Sequence, residues 1–343
     1  MLALAARFYC DPEVLRLEQR TIFRRSWQLV GGVEALAGSG DHVVSDFGGT
    51  PIIAVRGGDG ELRAFHNVCR HRAGPLALKD GRGAKALHCK YHGWTYTLTG
   101  QLRSAPEMQD AIDFDVSKIC LPQVRVATWS SLVFGALEDS VPPIDEVFDG
   151  IAEQTQATFG KPLRFDRRVS YELACNWKVY VDNYLEGYHL PHIHPSLNQL
   201  LDYRSYTTTC ARWHSLQHSP IEGGQGAPYE AGNAYYYFVW PNTMLNCLPG
   251  RLQTNRVVPL AVDRCRIDFD YYYSGAHGAP YNDDAQREQD QQFSDQVQIE
   301  DAAICEAVQR GLASGSYEAG RLNPKRETGV KHFHDLLRAA YGP

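Results

Sequence analysis

The spacing of apolar and polar positions changes along the chain, and each change predicts a different kind of structure. Near the N-terminus, Asp11 and Pro12 form a helix start, with a capping residue followed by proline at the first helical position. Apolar residues with helical spacing continue from there to Trp27. The pattern therefore predicts an amphipathic helix from about 12 to 27.

From about residue 27 to 137 the apolar residues occur in short alternating or continuous runs. These runs, TPIIAVRG at 50–57, ELRAFHNV at 61–68 and SLVFGAL at 131–137, are separated by Gly-Gly, Asp-Gly and Thr-Gly pairs. Such runs bounded by turn residues are typical of strands. The segment is therefore predicted to be an all-β module.

A proline-containing connector with a short helix is expected at 138–165, and a second domain begins near Arg167. Strand patterns in this domain lie near 168–175, 205–217, 233–248, 251–260 and 264–274, and a helical apolar stripe runs from about 284 to 311. The prediction is an α+β protein in three segments: 1–28 as a helix that packs on the second domain, 29–137 as the β domain, and 138–343 as the second domain.

Composition narrows the function classes. The 343 residues suffice for two domains, and 43% hydrophobic content can fill a core in each. A net charge of −6 with scattered basic residues argues against nucleic acid or an anionic membrane as a partner. We find no secretory signal pattern and no apolar run that could span a bilayer. The nine dispersed cysteines favour a reducing cytoplasm.

Two short Cys/His pairs carry the first chemical signal. Cys69 and His71 are followed, after seventeen residues, by Cys89 and His92. Mixed Cys2His2 ligation is used by Rieske [2Fe-2S] clusters, and it raises their potential above that of all-Cys ferredoxins. The same residue set can hold structural zinc, although zinc fingers usually pair Cys with Cys and His with His.

The four ligands should lie at loop tips, because a strand would point alternate side chains apart. Gly74-Pro75 and His92-Gly93 are expected to form the tight turns. Tyr91 and Trp94 would exclude water from the cluster, or would simply belong to an aromatic core.

A second candidate metal site lies in CNWKVYVDNYLEGYHLPHIHP at 175–195. Helical spacing places Asp182, Glu186 and His189 on one face. Prolines at 191 and 195 should stop this helix just after His189, so that His194 can fold back towards it. Two histidines and one carboxylate form the facial triad of mononuclear Fe(II) oxygenases.

The third ligand of such a triad should be a carboxylate on an inward face. Asp301 falls on the apolar stripe of the 284–311 helix, between Val297 and Ile304. Asp290 lies on the same stripe and is the rival, whereas Glu300 is expected to point away from it. A buried salt bridge is the alternative explanation for the inward carboxylate of Asp301.

Three stretches together resemble the catalytic alpha subunit of Rieske non-heme iron oxygenases: CRHR, HCKYHGWTY and NWKVYVDNYLEGYHLPHIHP. The resemblance implies a Rieske domain followed by a helix-grip catalytic domain with an antiparallel sheet. It assigns the cluster to Cys69, His71, Cys89 and His92. It also implies His189, His194 and Asp301 as iron ligands, with His192 as a supporting or surface residue.

The resemblance further implies how the two centres cooperate. In the family, subunits form a head-to-tail homotrimer, and a carboxylate connects the cluster of one subunit to the iron of the next. The matching bridge here runs through His92, Glu186 and His189, with Asp182 as a second acidic neighbour. The chain lacks a G-x-G-x-x-G strand-helix fingerprint and a plant-type ferredoxin run, so a separate NAD(P)H-dependent reductase, with or without a ferredoxin, is expected.

The sequence around Glu186 most resembles that of the family branch that oxidises choline, glycine betaine or carnitine. Aromatic faces attract methylammonium groups, and the second domain is rich in aromatics at 203, 206, 213, 235–240 and 271–273. On a strand, Tyr236, Phe238 and Trp240 would lie on one face, and Tyr235, Tyr237 and Val239 on the other. Only one of these two sets can therefore line a pocket.

Three alternatives remain open from the sequence. A small arene or aromatic acid could stack on the same aromatic residues and be hydroxylated with O2. A plain Rieske electron carrier or a zinc-stabilised binding module would leave the second His/His/Asp set in 138–343 unexplained.

Overall fold

The computed structural model describes residues 1–159, 163–201, 204–221, 231–274 and 283–342, without the side chains of 156–159 and 200. The chain divides into two compact units. One comprises Phe23–Val141, and the other combines Met1–Ile22 with Pro142–Pro343. The divisions fall after residues 22 and 141, against predicted ends at 28 and 137.

The N-terminal helix is shorter than predicted. After α1 (Arg7–Cys10), α2 spans Pro12–Thr21, and the side chain of Asp11 accepts a hydrogen bond from the backbone N–H of Glu13 at its start. The prediction of a helix to residue 27 was wrong, because the chain passes through a 3-10 turn at Phe23–Arg25 into the β unit, where Trp27 is buried.

The β unit contains nine strands. They are β1 (Gln28–Gly32), β2 (His42–Asp46), β3 (Pro51–Arg56), β4 (Leu62–His66), β5 (Leu87–His88), β6 (Thr95–Tyr96), β7 (Leu102–Ser104), β8 (Gln123–Trp129) and β9 (Leu132–Ala136). A six-stranded sheet has the order β1-β9-β8-β4-β3-β2, and a small sheet has the order β5-β6-β7.

Strand β3 shows why this unit folds around a continuous apolar run. Ile52 and Ala54 belong to one core cluster, and Ile53 and Val55 to another. Because successive strand residues point to opposite faces, both faces of β3 are buried. The cluster with Ile53 also contains Cys69 and Cys89, so the predicted ligand cysteines lie at the edge of a packed core.

The second unit continues with fourteen elements in the described part of the chain. They are α3 (Ile144–Val147), α4 (Ile151–Phe159), β10 (Leu163–Leu173), α5 (Trp177–Tyr184), α6 (Leu190–Ile193), α7 (Pro195–Leu200), β11 (Thr207–Cys210), β12 (His214–Ile221), β13 (Gly232–Val239), β14 (Thr243–Leu248), β15 (Arg251–Ala261), β16 (Arg264–Ser274), α8 (Asp284–Ala313) and α9 (Thr328–Tyr341).

Seven strands form one antiparallel sheet in the order β10-β16-β15-β14-β13-β12-β11. The antiparallel sheet of the α+β prediction is confirmed, whereas the helix-grip assignment stays a prediction. The stretches predicted as single strands at 205–217 and 233–248 each comprise two strands. No helix within the described ranges is long and apolar enough to cross a membrane.

The N-terminal segment is held by a buried carboxylate. Glu18 is fully buried and lies 2.6 Å from the ammonium nitrogen of Lys178, at the start of α5. Its two oxygens also accept hydrogen bonds from the indole N–H of Trp177 at 2.7 Å and the hydroxyl of Tyr341 at 2.6 Å. One side chain of α2 therefore ties α5 to α9.

Candidate functional site: two centres for metal

The first Cys/His pair lies in a tight loop between β4 and β5. The backbone N–H of Cys69 donates to the carbonyl of Gly74 at 2.8 Å, and that of Ala73 donates to the carbonyl of Cys69 at 3.1 Å. Ala73 has φ = 57°, the left-handed conformation that usually favours glycine.

The second loop repeats this geometry. Cys89 N–H donates to the carbonyl of Trp94 at 2.9 Å, and Gly93 N–H donates to the carbonyl of Cys89 at 3.0 Å. Gly93 has φ = 76° and thus matches Ala73 in the first loop. Two loops with the same backbone pattern each carry one cysteine and one histidine, as the sequence predicted.

Gly74 has a different role from the predicted one. Its φ is not in the left-handed region, so the turn conformation falls on Ala73 instead. A Cβ atom at position 74 would lie 2.9 Å from the sulfur of Cys89. Glycine is therefore needed here because the first loop passes close to a sulfur of the second loop.

The four candidate ligands separate into an inner and an outer pair. The two cysteines are 3% and 2% exposed, whereas His71 and His92 are exposed, with ring centroids 4.5 Å apart. Burial raises the pKa of the Cys89 thiol, and Cys69 adds to this effect. Two buried sulfurs beneath two outward imidazoles fit the mixed ligation of a Rieske cluster.

Aromatic side chains support this arrangement unequally. The indole of Trp94 is buried and stacks on the His71 ring, with centroids 4.9 Å apart and planes at 8°. Tyr91 is 57% exposed, with its ring centroid 3.9 Å from that of His92. Tyr96, which the sequence did not single out, places its hydroxyl 3.2 Å from the Cys69 sulfur and accepts a hydrogen bond from Arg70 N–H at 2.9 Å.

The second site begins where α5 ends. This helix ends earlier than the sequence predicted. The helix stops at Tyr184, so Glu186 and His189 do not continue it. The Glu186 carboxylate instead accepts backbone hydrogen bonds from Tyr188 and from His189, the latter at 3.1 Å. A side chain that accepts hydrogen bonds from free backbone N–H groups competes with continuation of the helix. The helical period of the sequence alone does not reveal this competition.

A separate short helix then positions the two histidines. His189 is the residue before α6 and His194 the residue after it, with Pro191 inside the helix rather than ending one. Proline is tolerated in a first helical turn because its missing N–H would have no helical partner there. The imidazole centroids lie 5.1 Å apart, with planes at 77°.

Asp301 of α8 completes the cluster. Its Oδ1 lies 3.0 Å from Nε2 of His194 and 3.8 Å from Nε2 of His189, and one ligand atom from each residue lies within 4.8 Å of the other two. Asn183 donates an amide hydrogen bond to the same carboxylate oxygen at 2.6 Å. Two Nε2 atoms and one carboxylate facing a common point fit a facial triad.

Each histidine is oriented through its other nitrogen. Nδ1 of His189 lies 2.7 Å from Oε1 of Glu186, and Nδ1 of His194 lies 2.7 Å from Oε2 of Glu300. Carboxylates on Nδ1 fix the ring and leave Nε2 for a metal. Burial lowers the pKa of His194, but the hydrogen bonds with Asp301 and Glu300 outweigh it, so the pKa is raised.

The structure corrects the expectation for one acidic residue and adds hydrogen-bond partners for another. Glu300 was predicted to point away from the site, and this was wrong, because it reaches His194 from one position beside Asp301. Asp182, predicted beside Glu186, directs its carboxylate to the hydroxyl of Tyr9 at 2.6 Å and to Nε2 of His334 at 3.0 Å. His192 is exposed, as expected for a surface residue.

The rival carboxylate Asp290 does not join the cluster but forms a buried salt bridge, the arrangement that was the alternative explanation for Asp301. Its oxygen lies 2.7 Å from Nε of Arg251 on β15. Asp290 is the first of three buried polar residues on one face of α8, at positions 290, 294 and 298. This face lies next to the predicted apolar stripe, and Val308 of that stripe is 44% exposed. The most buried face of α8 is therefore polar.

This row faces an equally polar row on β15. Below the Arg251/Asp290 pair, the Gln253 side-chain amide donates to the Ser294 hydroxyl at 2.9 Å. Strand residues two apart and helix residues four apart share a face, so we infer from this spacing that Asn255 lies in register with Gln298. We call these three pairs, 251/290, 253/294 and 255/298, the β15–α8 ladder.

A cavity of about 120 Å³ connects the ladder to the triad. Tyr236 lines it, whereas Phe238 and Trp240 pack on Phe333 of α9, so only part of the predicted aromatic face reaches the cavity. Tyr203 lies outside the described residues. The other aromatic residues lining the cavity are Tyr180, Tyr184, Tyr206, Phe269 and Phe293, of which only Tyr206 was singled out from the sequence.

Comparisons with known proteins agree with this geometry. The Rieske [2Fe-2S] domain family matches residues 26–127, and the ring hydroxylating alpha subunit (catalytic domain) family matches 161–342. Choline monooxygenase of Arabidopsis thaliana is 35% identical over 96% of this chain and 81% of its own length. The carnitine monooxygenase oxygenase subunit of Escherichia coli K12 is 30% identical over 98% and 93%.

Among solved structures, the quaternary ammonium Rieske monooxygenase CntA superimposes with a TM-score of 0.91 at 26% identity, covering 99% of this chain and 96% of its own. Naphthalene 1,2-dioxygenase superimposes with a TM-score of 0.81 at 17% identity, covering 99% and 93%, which shows a shared fold.

A β domain with two Cys/His loops and a second domain with a His/His/Asp cluster together define a Rieske-type oxygenase. The chain belongs to the Rieske non-heme iron oxygenases, as a catalytic alpha subunit. It is an oxidoreductase, and its cofactors are a [2Fe-2S] cluster and a mononuclear iron. The zinc-module and plain electron-carrier alternatives are thereby excluded.

Proposed function

We propose that this enzyme hydroxylates a small quaternary ammonium compound with O2 and electrons from a separate reductase. The observation that carries the proposal is the cavity beside the triad. It combines aromatic rings with the Glu186 carboxylate, and both attract a methylated cation. The names of the choline and carnitine monooxygenase relatives support the same class.

The proposal assigns Cys69, His71, Cys89 and His92 to the cluster, and His189, His194 and Asp301 to the iron. The geometry of the two loops and the triad supports this assignment. When bound, the cluster supplies electrons one at a time and the ferrous ion activates O2 for insertion of one oxygen atom into a C–H bond.

The protein side chains act around that chemistry. Glu186 and Glu300 hold the two imidazoles through their Nδ1 atoms at 2.7 Å, so that both Nε2 atoms stay directed at one point. Asn183 holds the Asp301 carboxylate with a 2.6 Å hydrogen bond. Aromatic residues on the cavity wall would position the trimethylammonium group with a carbon next to nitrogen or oxygen facing the triad.

The reaction balances as one substrate, one O2, two electrons and two protons giving one hydroxylated product and one water. Hydroxylation next to the nitrogen yields a hemiaminal, which collapses to an aldehyde and a tertiary amine. Hydroxylation at a carbon that already carries oxygen yields an aldehyde hydrate. The released aldehyde therefore reports the carbon attacked.

Electron delivery between subunits is part of the proposal. His92 is exposed at the tip of its loop, and Glu186 lies against His189 in a second cavity of about 610 Å³ that also contains Asp182. In a head-to-tail homotrimer, Glu186 would connect His92 of a neighbouring subunit to His189. We place the protein in the cytoplasm, since the seven cysteines outside the cluster loops form no disulfide in the structure.

The test is oxygen uptake by the purified holoenzyme with a reductase, screened with choline, glycine betaine, carnitine and small aromatic acids. We expect uptake with aldehyde release for a quaternary ammonium compound, and no uptake in a His194→Ala control. Uptake with formation of a phenol or diol from an aromatic acid alone would instead support an aromatic-ring hydroxylase. Trimer formation is checked separately by light scattering.

A further inference from the structure

Unlike the first two pairs of the β15–α8 ladder, the third has no hydrogen bond or ion pair between its two described members. In the first pair, Asp290 lies 2.7 Å from Arg251, and in the second, Gln253 donates to Ser294. In the third pair, Oδ1 of Asn255 and Nε2 of Gln298 each lack a hydrogen-bond partner among the described residues.

Both residues are deeply buried, at 2% exposure each, and both line the cavity that contains the triad. A buried polar atom without a partner is costly, and such atoms are rare in folded proteins. Here an acceptor and a donor without partners line the same cavity, and no hydrogen bond joins them to each other. That pairing indicates a ligand that fills both needs.

The chemistry of the missing partner follows from the two atoms. Oδ1 of Asn255 needs a donor, and the amide of Gln298 needs an acceptor. The Gln298 side chain is already oriented, because its Oε1 accepts a hydrogen bond from the buried Tyr180 hydroxyl at 2.8 Å. A hydroxyl group can donate to the first atom and accept from the second, whereas a carboxylate would place an oxygen against the Asn255 carbonyl oxygen.

Charge in the cavity favours the same ligand. Among the described residues lining the cavity, Arg251 is the one arginine or lysine, and it is held by Asp290 in the first pair of the ladder. A carboxylate on the substrate would therefore have to compete with a buried aspartate for that cation. A neutral polar end meets no such competition.

We propose that Asn255 and Gln298 bind a hydroxyl group of the substrate, so that the enzyme acts on a quaternary ammonium alcohol in preference to a quaternary ammonium acid. The proposal rests on the proposed function, because it takes the trimethylammonium class as given. It goes further by naming the group at the other end of the molecule and the two residues that recognise it.

The test compares three ligands by calorimetric titration of the anaerobic holoenzyme: choline, ethyltrimethylammonium, which lacks the hydroxyl, and glycine betaine, which carries a carboxylate instead. We expect choline to bind about tenfold to a hundredfold more tightly than ethyltrimethylammonium, as two buried hydrogen bonds imply. Glycine betaine should bind more weakly than choline.

Variants locate the effect. Asn255→Leu keeps the size of the side chain and removes the acceptor, so the preference for choline over ethyltrimethylammonium should fall to about twofold or less. Ethyltrimethylammonium should bind Asn255→Leu as it binds the wild type, which also shows that the variant is folded. Thr254→Val is the matched control, since Thr254 is buried on the same strand but does not line the cavity, and it should keep the full preference.

The outcomes separate the two proposals. If none of choline, ethyltrimethylammonium, glycine betaine and carnitine, titrated in the same way, binds at millimolar concentration, the proposed function fails. If choline and ethyltrimethylammonium bind with equal affinity, if glycine betaine binds best, or if Asn255→Leu keeps the preference, the hydroxyl assignment fails while the proposed function stands. Should Asn255→Leu not fold, Gln298→Met carries the same comparison from the donor side.

Discussion

Oε2 of Glu300 lies 2.7 Å from Nδ1 of His194, on the side of the imidazole opposite Asp301. The contact makes Glu300 the counterpart of Glu186, which holds His189 in the same way. Neighbouring acids on one helix thus act on the two nitrogens of a single ring.

The first prediction concerns this contact. Glu300→Gln weakens the hold on the His194 ring, and we expect iron affinity to fall about 10- to 100-fold because such partners tune metal sites. Competition with a metal chelator, followed by iron and sulfide analysis, measures the change. Cluster content should stay constant. Glu288→Gln, the same substitution at a half-exposed position of α8, is the control, and equal iron loss in both would contradict the role of Glu300.

The second prediction separates metal binding from electron transfer. Glu186→Gln should also bind iron more weakly, as Glu300→Gln does, so the variant is first loaded with excess Fe(II) until both metals are present. Oxidation of the cluster in a single turnover should then be slower by about 10- to 100-fold, since the amide is a poorer link between imidazoles. Rapid mixing of reduced enzyme with substrate and O2 gives the rate. Glu172→Gln, at an exposed strand position, should behave as the wild type. Unchanged single-turnover kinetics in Glu186→Gln would remove it from the electron path.

The third prediction concerns the potential of the cluster. Because Arg70 N–H donates to the Tyr96 oxygen, the hydroxyl hydrogen is free to point at the Cys69 sulfur 3.2 Å away. Hydrogen bonds to cluster sulfurs raise the potential, so Tyr96→Phe should lower it, as measured by redox titration of the visible spectrum. Tyr91→Phe, at the exposed ring, serves as the comparison. A potential that does not move in Tyr96→Phe would show that the hydroxyl is directed elsewhere.

The fourth prediction concerns stability and pH. Asp268 is buried against Arg256 at 2.9 Å and Arg266 at 2.8 Å. Burial works to raise the pKa of Asp268, but the two guanidinium groups outweigh it and hold the pKa well below its usual range. The resulting stability is present above the ordinary aspartate pKa and is lost as pH falls through the lower folded pKa.

Asp268→Asn leaves Arg256 buried without its carboxylate partner, which costs about 3–5 kcal/mol. We expect the melting temperature at pH 7 to fall by about 6–20 °C for a domain of this size. The variant should also lose part of the acid sensitivity of the wild type below about pH 4. Calorimetry at several pH values checks both points, with Asp335→Asn, in an exposed ion pair, expected to change little. Parallel pH profiles would argue against the linkage.

The sequence predicted much of the site because ligand chemistry is visible in residue type and spacing. Cys69, His71, Cys89 and His92 lie together on two loops, and His189, His194 and Asp301 lie within 4.8 Å of one another. The antiparallel sheet followed equally from its apolar runs. These features depend on local pattern, which a single chain displays.

What the sequence could not show depends on contacts between side chains and backbone or between distant elements. The end of α5 escaped notice because Glu186 captures backbone N–H groups. The helical period predicts only whether a residue faces inward or outward, and by this measure Glu300 was expected to point away. In the structure His194, at the end of α6, lies close enough for Glu300 to reach it. The polar row on α8 was missed because its partner, the row on β15, lies some forty residues away in the chain.

The β15–α8 ladder has a consequence for how this enzyme could change. The 251/290 and 253/294 pairs join β15 to α8 through an ion pair and a hydrogen bond. They can stay constant while the third pair varies. Replacing two amides could therefore redirect the choice of molecule without disturbing the scaffold. If the proposed hydroxyl contact holds, positions 255 and 298 are where natural divergence or laboratory evolution would alter the preferred end group of the substrate.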